Sequence, residues 1–332
     1  MTSRKTASTS LTTTTSSNNH RQKPPERSGG LFVCGIDAAE TPGQRLSEAA
    51  LYISPSACYN DLRQGGNRVF TGFAQEALDF LSDIRFNNNQ TFYEQNKERY
   101  EKYVKTPLRA LCDEMTPVVQ VIDPQLDTRP GRTMSRIRRD TRFTKDKSPF
   151  RDHVWLGWRY PGESRSEGFG MYWGFGPDWL SWGEGCYAAD KPLMDALRLQ
   201  IRRHPDEVRE VLYDPRIKDR FVLYGEGYRK IAVPDDVPED LRALYVKKGF
   251  GIEHSATAEE WRMLHTRDMA DLLARELSAM APLQQLMRRM RQQAEYAQEL
   301  QAKELEAQQR EAAKQADIPA RITVHSAEDF EF

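Results

Sequence analysis

The hydrophobic period of this chain changes twice along its length, and that change restricts the fold more than any motif does. Phe73, Ala77, Leu78, Leu81 and Ile84 fall at helical spacing. Asn87, Asn88 and Asn89 then interrupt the pattern, because asparagine tolerates the backbone conformations at helix ends. A second helix is predicted from Thr91, which stands in capping-box spacing with Glu94. Phe92, Tyr100, Tyr103, Val104, Leu108, Leu111 and Met115 form its apolar face, and Pro107 is expected to kink or split it. From about 132 to 187 the period becomes two. Val154, Leu156, Trp158 and Tyr160 alternate with Trp155, Gly157 and Arg159, and further aromatic runs are punctuated by Gly and Pro. This predicts an antiparallel meander of three to five strands. Helical spacing returns after Asp190 and again after Thr257, where Pro282 is expected to terminate or kink the last core helix. Short strands are expected at 220–224 and 243–248. The fold class is therefore α+β, with helices packed on an antiparallel sheet over residues 70–282. About 210 residues suffice for a sizeable core.

The flanks have a different character. The 332 residues are 39% hydrophobic and 29% charged, so part of the length is expected to lie outside a core. Residues 1–30 contain 13 Ser or Thr and are expected to be a disordered tail, since almost nothing there offsets the ordering entropy. Residues 31–69 form an N-terminal extension. Residues 283–317 hold nine Gln and seven Ala but no Gly or Pro, which favours a long charged C-terminal helix. Its apolar rhythm of Leu283, Met287, Met290, Ala294 and Ala297 breaks at Gln301 and Glu304, so a solvated helix is expected rather than a coiled coil. Residues 318–332 are expected to be loose. Cys34, Cys58, Cys112 and Cys186 are scattered and read as reduced thiols. No apolar run approaches the roughly 18 residues of a membrane span, and the expected compartment is the cytoplasm.

A net charge of -1 excludes a globally basic nucleic-acid coat but conceals a local extreme. Between Arg129 and Arg151 stand nine basic residues and two acids. If 134–139 is extended, Arg136 and Arg138 point one way and Ile137 and Arg139 the other. Arg142, Lys145 and Lys147 follow in a turn with Asp140 and Asp146. Arginine suits phosphate and carboxylate oxygens, so this is a candidate anion cradle. A solvated, internally paired edge strand is the competing reading. His153 lies beside the segment and is a candidate proton shuttle. The Asn turn, including Asn88, and Asn96 and Lys97 near the start of the second helix form another polar cluster. Five of the six tryptophans fall within 155–182, either as sheet core or, where exposed, as stacking surfaces. No phosphate-loop, dinucleotide or paired-histidine motif is present, so no metal is expected and the cofactor is unknown.

Phe70 to Phe73, Asn87-Asn88, Asn96-Lys97 with Tyr100-Glu101, and the run from Arg136 to Phe150 together closely resemble the bacterial and fungal family catalogued as domain of unknown function 2461. The resemblance covers about 70–285. It is looser at Tyr228 to Pro234, which departs from the family's Lys-x-x-Pro-x-Gly-Tyr pattern. The resemblance brings no activity and no catalytic residues. It implies one shared site, with the Asn turn and the start of the second helix brought near the arginine segment.

Three functions follow as expectations. The first is an enzyme on a phosphate-bearing substrate, with Arg136, Arg138, Arg142, Lys145 and Lys147 binding oxyanions and Asp140, Asp146 or His153 moving protons. The second is a non-enzymatic module that binds nucleic acid through phosphate contacts and stacking. The third is a scaffold whose arginines pair with Glu94, Glu98 or Glu101 and whose tail helix contacts a protein partner.

Overall fold

The computed structural model describes residues 69–142, 144–161, 169–186 and 188–316. The expectations for the N-terminal tail, nearly all of the extension and residues 318–332 lie outside these. Helix α1 (Gln75–Phe86) buries Ala77, Leu78, Phe80, Leu81 and Ile84, the stripe its spacing predicts. It ends at Asn87, whose backbone and side-chain N–H groups both donate to the Asp83 carbonyl. Helix α2 (Gln90–Gln95) starts one residue before the expected Thr91. Its cap is Asn89, whose side chain accepts from the Phe92 N–H, and Glu94 pairs with Gln90. The Thr91–Glu94 capping box is therefore replaced by an asparagine cap of the same function.

The predicted second helix continues in pieces through α3 (Lys97–Arg99), a wide turn (Tyr100–Lys105) and α4 (Thr106–Ile122). In the wide turn the Thr106 N–H reaches back five residues to the Glu101 carbonyl. Pro107 has no N–H and crowds the carbonyl four residues before it, and the widened turn relieves that conflict without ending the helix. The short α5 (Pro130–Thr133) leads into the meander β1 (Val154–Trp158), β2 (Phe169–Gly176) and β3 (Trp179–Cys186). Helices α6 (Lys191–Arg203), α7 (Pro205–Leu212) and α8 (Pro215–Lys218) follow, then β4 (Val222–Tyr224), α9 (Arg242–Tyr245), β5 (Gly251–Ser255), α10 (Ala258–Met263) and α11 (Asp268–Ala316).

The sheet order is β1-β2-β3-β5-β4, antiparallel throughout. The strand expected at 243–248 is instead the helical turn α9, which buries Leu244 and Tyr245. The strand lies just beyond it, where Phe250 and Ile252 face the core and Glu253 is only half-buried. Trp158, Trp173 and Trp182 are core residues, and Phe73 packs on Trp173 and Phe175. Trp155 and Trp179 lie on the opposite side of the sheet, half-buried. Helix α11 covers β2 and β3, and Trp182 Nε1 donates to Glu276 on it at 3.0 Å.

Pro282 neither ends nor breaks α11, which runs for 49 residues, about 74 Å. Leu277, Met280, Leu283, Leu286, Met287 and Met290 are all buried around the proline. Burying six such side chains outweighs the roughly 3 kcal/mol of one interior proline. The core thus reaches Ala294, past the sequence boundary at 282, before Tyr296, Leu300 and Leu305 emerge exposed.

Candidate functional site

The arginine segment is an irregular hairpin rather than a regular strand. Its first arm joins the edge of β1 through a Met134–Leu156 bridge, and the Ser135 N–H donates to the Trp155 carbonyl. It then pairs with its own return arm. Arg138 bridges Phe150, the Arg139 N–H donates to Pro149, and the Arg151 N–H donates to Ile137. The expected alternation holds: Ser135 and Ile137 are buried, and Arg136 and Arg138 are exposed on one side. Arg151 locks the arm from behind, donating from Nη1 to the carbonyls of Arg136 and Arg138.

Asn88 holds the return arm from the other side. Its Nδ2 donates to the Phe150 carbonyl at 2.9 Å and its Oδ1 accepts the Phe150 N–H at 2.9 Å. Phe150 stacks on Tyr93 of α2 at 4.5 Å, and the Arg138 guanidinium lies 5.1 Å from the Phe150 ring centre. Arg138 Nη2 also donates to Gln90 Oε1 at 2.6 Å. The Asn turn and the start of the helix therefore do meet the arginine arm. Asn96 and Lys97 are not part of this contact. Asn96 bonds to the Phe92 carbonyl and to Arg99, and Lys97 is exposed on α3.

The nine cations separate by partner. Arg129 and Arg132 face the buried Asp127, Arg139 pairs with Asp146, and Arg142 pairs with Asp140 at 2.7 Å. Lys147 Nζ donates to the Thr141 carbonyl. Among the described residues Arg136, Arg138, Lys145 and Lys147 form no ion pair, and all four are exposed. Among the described residues the scaffold pairing of the segment's arginines with Glu94, Glu98 or Glu101 does not form: Glu94 holds Gln90, and Glu101 holds Lys105.

The acids of the loop are turn-formers. Asp140 accepts from the side chain and backbone of Arg142, which holds its carboxyl down at about 2. Asp146 is likewise lowered, by hydrogen bonds from Ser148 and by Arg139. Sequence reasoning missed two residues here, Asp152 and Arg85. Burial alone would raise the Asp152 carboxyl, but hydrogen bonds from His153 and Arg85 outweigh it and hold the group well below the usual range. Asp152 Oδ1 accepts from His153 Nδ1 at 2.8 Å, and Asp152 Oδ2 accepts from Arg85 Nε at 2.6 Å. The His153 ring stacks on Trp155 at 5.6 Å, and the Arg151 guanidinium lies 5.0 Å from the same indole. The adjacency of Asp152 and His153 was visible in the sequence; their link to Arg85, 67 residues away, was not. Among the described residues no cluster of three His, Cys, Asp or Glu side chains is placed to hold a metal ion, and no helix is long and apolar enough to cross a membrane.

The model of the family described as conserved hypothetical protein (DUF2461) matches residues 76–286, and the chain belongs to that family. The match runs from the first turn of α1 into α11 and contains the whole cationic hairpin. No curated protein matches the chain.

Proposed function

We propose that this member of the family binds an anionic, phosphate-bearing ligand at the hairpin, through Arg136, Arg138, Lys145 and Lys147, with Arg142 at the rim. The observation that carries this reading is Arg136 and Arg138. They project side by side from an arm whose carbonyls are clamped by Arg151 and whose partner strand is clamped by Asn88. A rigid arm places two guanidinium forks without the ordering cost that a loose loop would incur, and oxyanions suit that geometry.

A catalytic role on the same ligand is supported by one feature, the Asp152–His153 pair. Asp152 fixes the imidazole by holding Nδ1, the arrangement a general base needs. Asp140 and Asp146, both paired and lowered, suit charge balance in the turn better than proton transfer. The buried free thiols Cys112 and Cys186 fit a reducing compartment such as the cytoplasm.

Titration calorimetry with inorganic tripolyphosphate tests the binding. The double substitution Arg136→Ala with Arg138→Ala is expected to weaken it at least tenfold, and raising the salt weakens it in the native chain as well. Unchanged affinity in the double variant refutes the reading.

A further inference from the structure

The two arms of the cationic hairpin fall out of step at one place. The Ser135 N–H donates to the Trp155 carbonyl, and the Trp155 N–H donates to Ser135 Oγ. Further along the first arm, the Ile137 carbonyl accepts from the Arg151 N–H. Between these links the first arm has Arg136 alone, whereas the return arm has Asp152, His153 and Val154. An unbroken antiparallel ladder sets one residue against one. The return arm therefore carries extra residues, Asp152 and His153, in a bulge that faces Arg136. Paired arms lie about 5 Å apart, which puts the Arg136 backbone beside that of the bulge. Bulges re-aim side chains next to active sites.

The bulge is braced. Asp152 Oδ2 accepts from Arg85 Nε at 2.6 Å, and Arg85 Nη2 donates to Asp178 at 2.8 Å, so α1 and the turn between β2 and β3 both hold it. The His153 ring lies 5.6 Å from Trp155 and 5.7 Å from Trp179. Asp152 is held ionised and accepts at His153 Nδ1, so Nδ1 carries the imidazole proton and Nε2 the lone pair. Among the described residues Nε2 has no hydrogen-bond partner. His254 is the contrast. Its ring nitrogens lie 2.8 Å from the Arg220 carbonyl and 2.8 Å from Glu260, so the fold occupies both. Arg85, Asp152 and Asp178 together carry a charge of −1, and Arg136 and Arg151 bring two positive charges. With a neutral imidazole the surroundings of the bulge are net positive, as an oxyanion requires.

We infer that the bulge is the reacting end of the anion site: a phosphate ester held by Arg136 and Arg138 is hydrolysed there, with His153 Nε2 as general base. This rests on the anion-binding reading above and names its substrate class and reaction. A water gives up one proton to Nε2 as its oxygen bonds to phosphorus. The ester P–O bond breaks, and its electron pair leaves with the alcohol oxygen. That oxygen takes a proton from solvent and the imidazolium returns its own to solvent, so the products are the alcohol and the phosphate. The guanidinium groups neutralise the non-bridging oxygens.

Hydrolysis of p-nitrophenyl phosphate and of bis(p-nitrophenyl) phosphate, followed by absorbance of p-nitrophenolate, tests this, with tripolyphosphate binding measured alongside. The native chain is expected to turn over at least one of them, and the faster one distinguishes a monoester site from a diester site. His153→Asn keeps an amide N–H for Asp152 and removes the base. It is expected to lose about a hundredfold or more in kcat, while tripolyphosphate affinity and the circular dichroism melt stay as in the native chain. His153→Ala should lose as much and regain activity when imidazole is added, a rescue that a purely structural loss would not show. If the native chain hydrolyses neither ester, if His153→Asn matches its rate, or if imidazole does not restore His153→Ala, the inference is overturned while the anion site stands. If tripolyphosphate does not bind, both readings are overturned.

Discussion

Glu184 offers a quantitative test of the core. It lies on β3 opposite Met171 of β2 and Ile252 of β5, in the same row as Trp158. Its exposure is 0%, and neither carboxyl oxygen has a hydrogen-bond partner among the described residues. Burial therefore pushes its pKa well above the ordinary 4.5 and favours the protonated form in the folded state. In the unfolded chain the same group ionises above 4.5. Folding thus takes up one proton that the unfolded chain does not hold. The Glu184 contribution to stability is full below the ordinary carboxylate range and is lost as the pH rises towards the raised pKa. One proton of difference corresponds to about 1.4 kcal/mol of stability per pH unit. Glu184→Gln keeps the shape and removes the titration. Urea unfolding followed by tryptophan fluorescence from about pH 5.5 upward should show native-chain stability falling more steeply than the variant's, by up to that amount per pH unit until the raised pKa is reached. Parallel curves would show that Glu184 is ionised in the folded chain, and the assignment of a dry, unpaired site would be wrong.

Two further outcomes are expected. Gly72 has φ of 106°, and a Cβ there would stand 2.3 Å from the His265 backbone, so Gly72→Ala should cost about 3 kcal/mol or more and lower the melting temperature by several degrees. An unchanged melt would mean that the Phe70–Phe73 segment does not dock there. Burial pushes the Cys112 thiol up to about 12 and the Cys186 thiol up to about 11. Mass spectrometry after iodoacetamide at about pH 8 should find both unmodified in the native chain and modified after denaturation; native labelling of either would place it at the surface.

Much of this architecture was legible because it depends on period. The α1 stripe, the Asn break after it, the meander and the α11 core residues all follow from which side chains must leave water. The alternation of Arg136 and Arg138 with Ile137 was legible for the same reason. Prolines acted only where burial did not oppose them. Pro107 splits its helix at a wide turn, as expected, whereas Pro282 is carried through by buried neighbours on both sides. A local rule prices the missing N–H but cannot count the core contacts that outweigh it. Strand β5 was displaced because the turn that buries Leu244 and Tyr245 competes for the same apolar residues.

The site divides along the same line. By itself the sequence determined that a block of nine cations and two acids sits beside the sheet, and that the Asn turn belongs to the same family pattern, because composition and order are local properties. Only the tertiary structure decided which of those charges remain available. Arg139 and Arg142 are spent on Asp146 and Asp140, Arg151 on backbone carbonyls, and Asn96 on its own helix, whereas Arg136, Arg138, Lys145 and Lys147 stay exposed. It alone brought Arg85 to Asp152 and left Phe86 outside the core. The physical reason is that pairing depends on distance in space. Electrostatic and hydrogen-bond energies fall within a few ångströms, and residues 60 or more positions apart come within that range only when the sheet and helices close on one another.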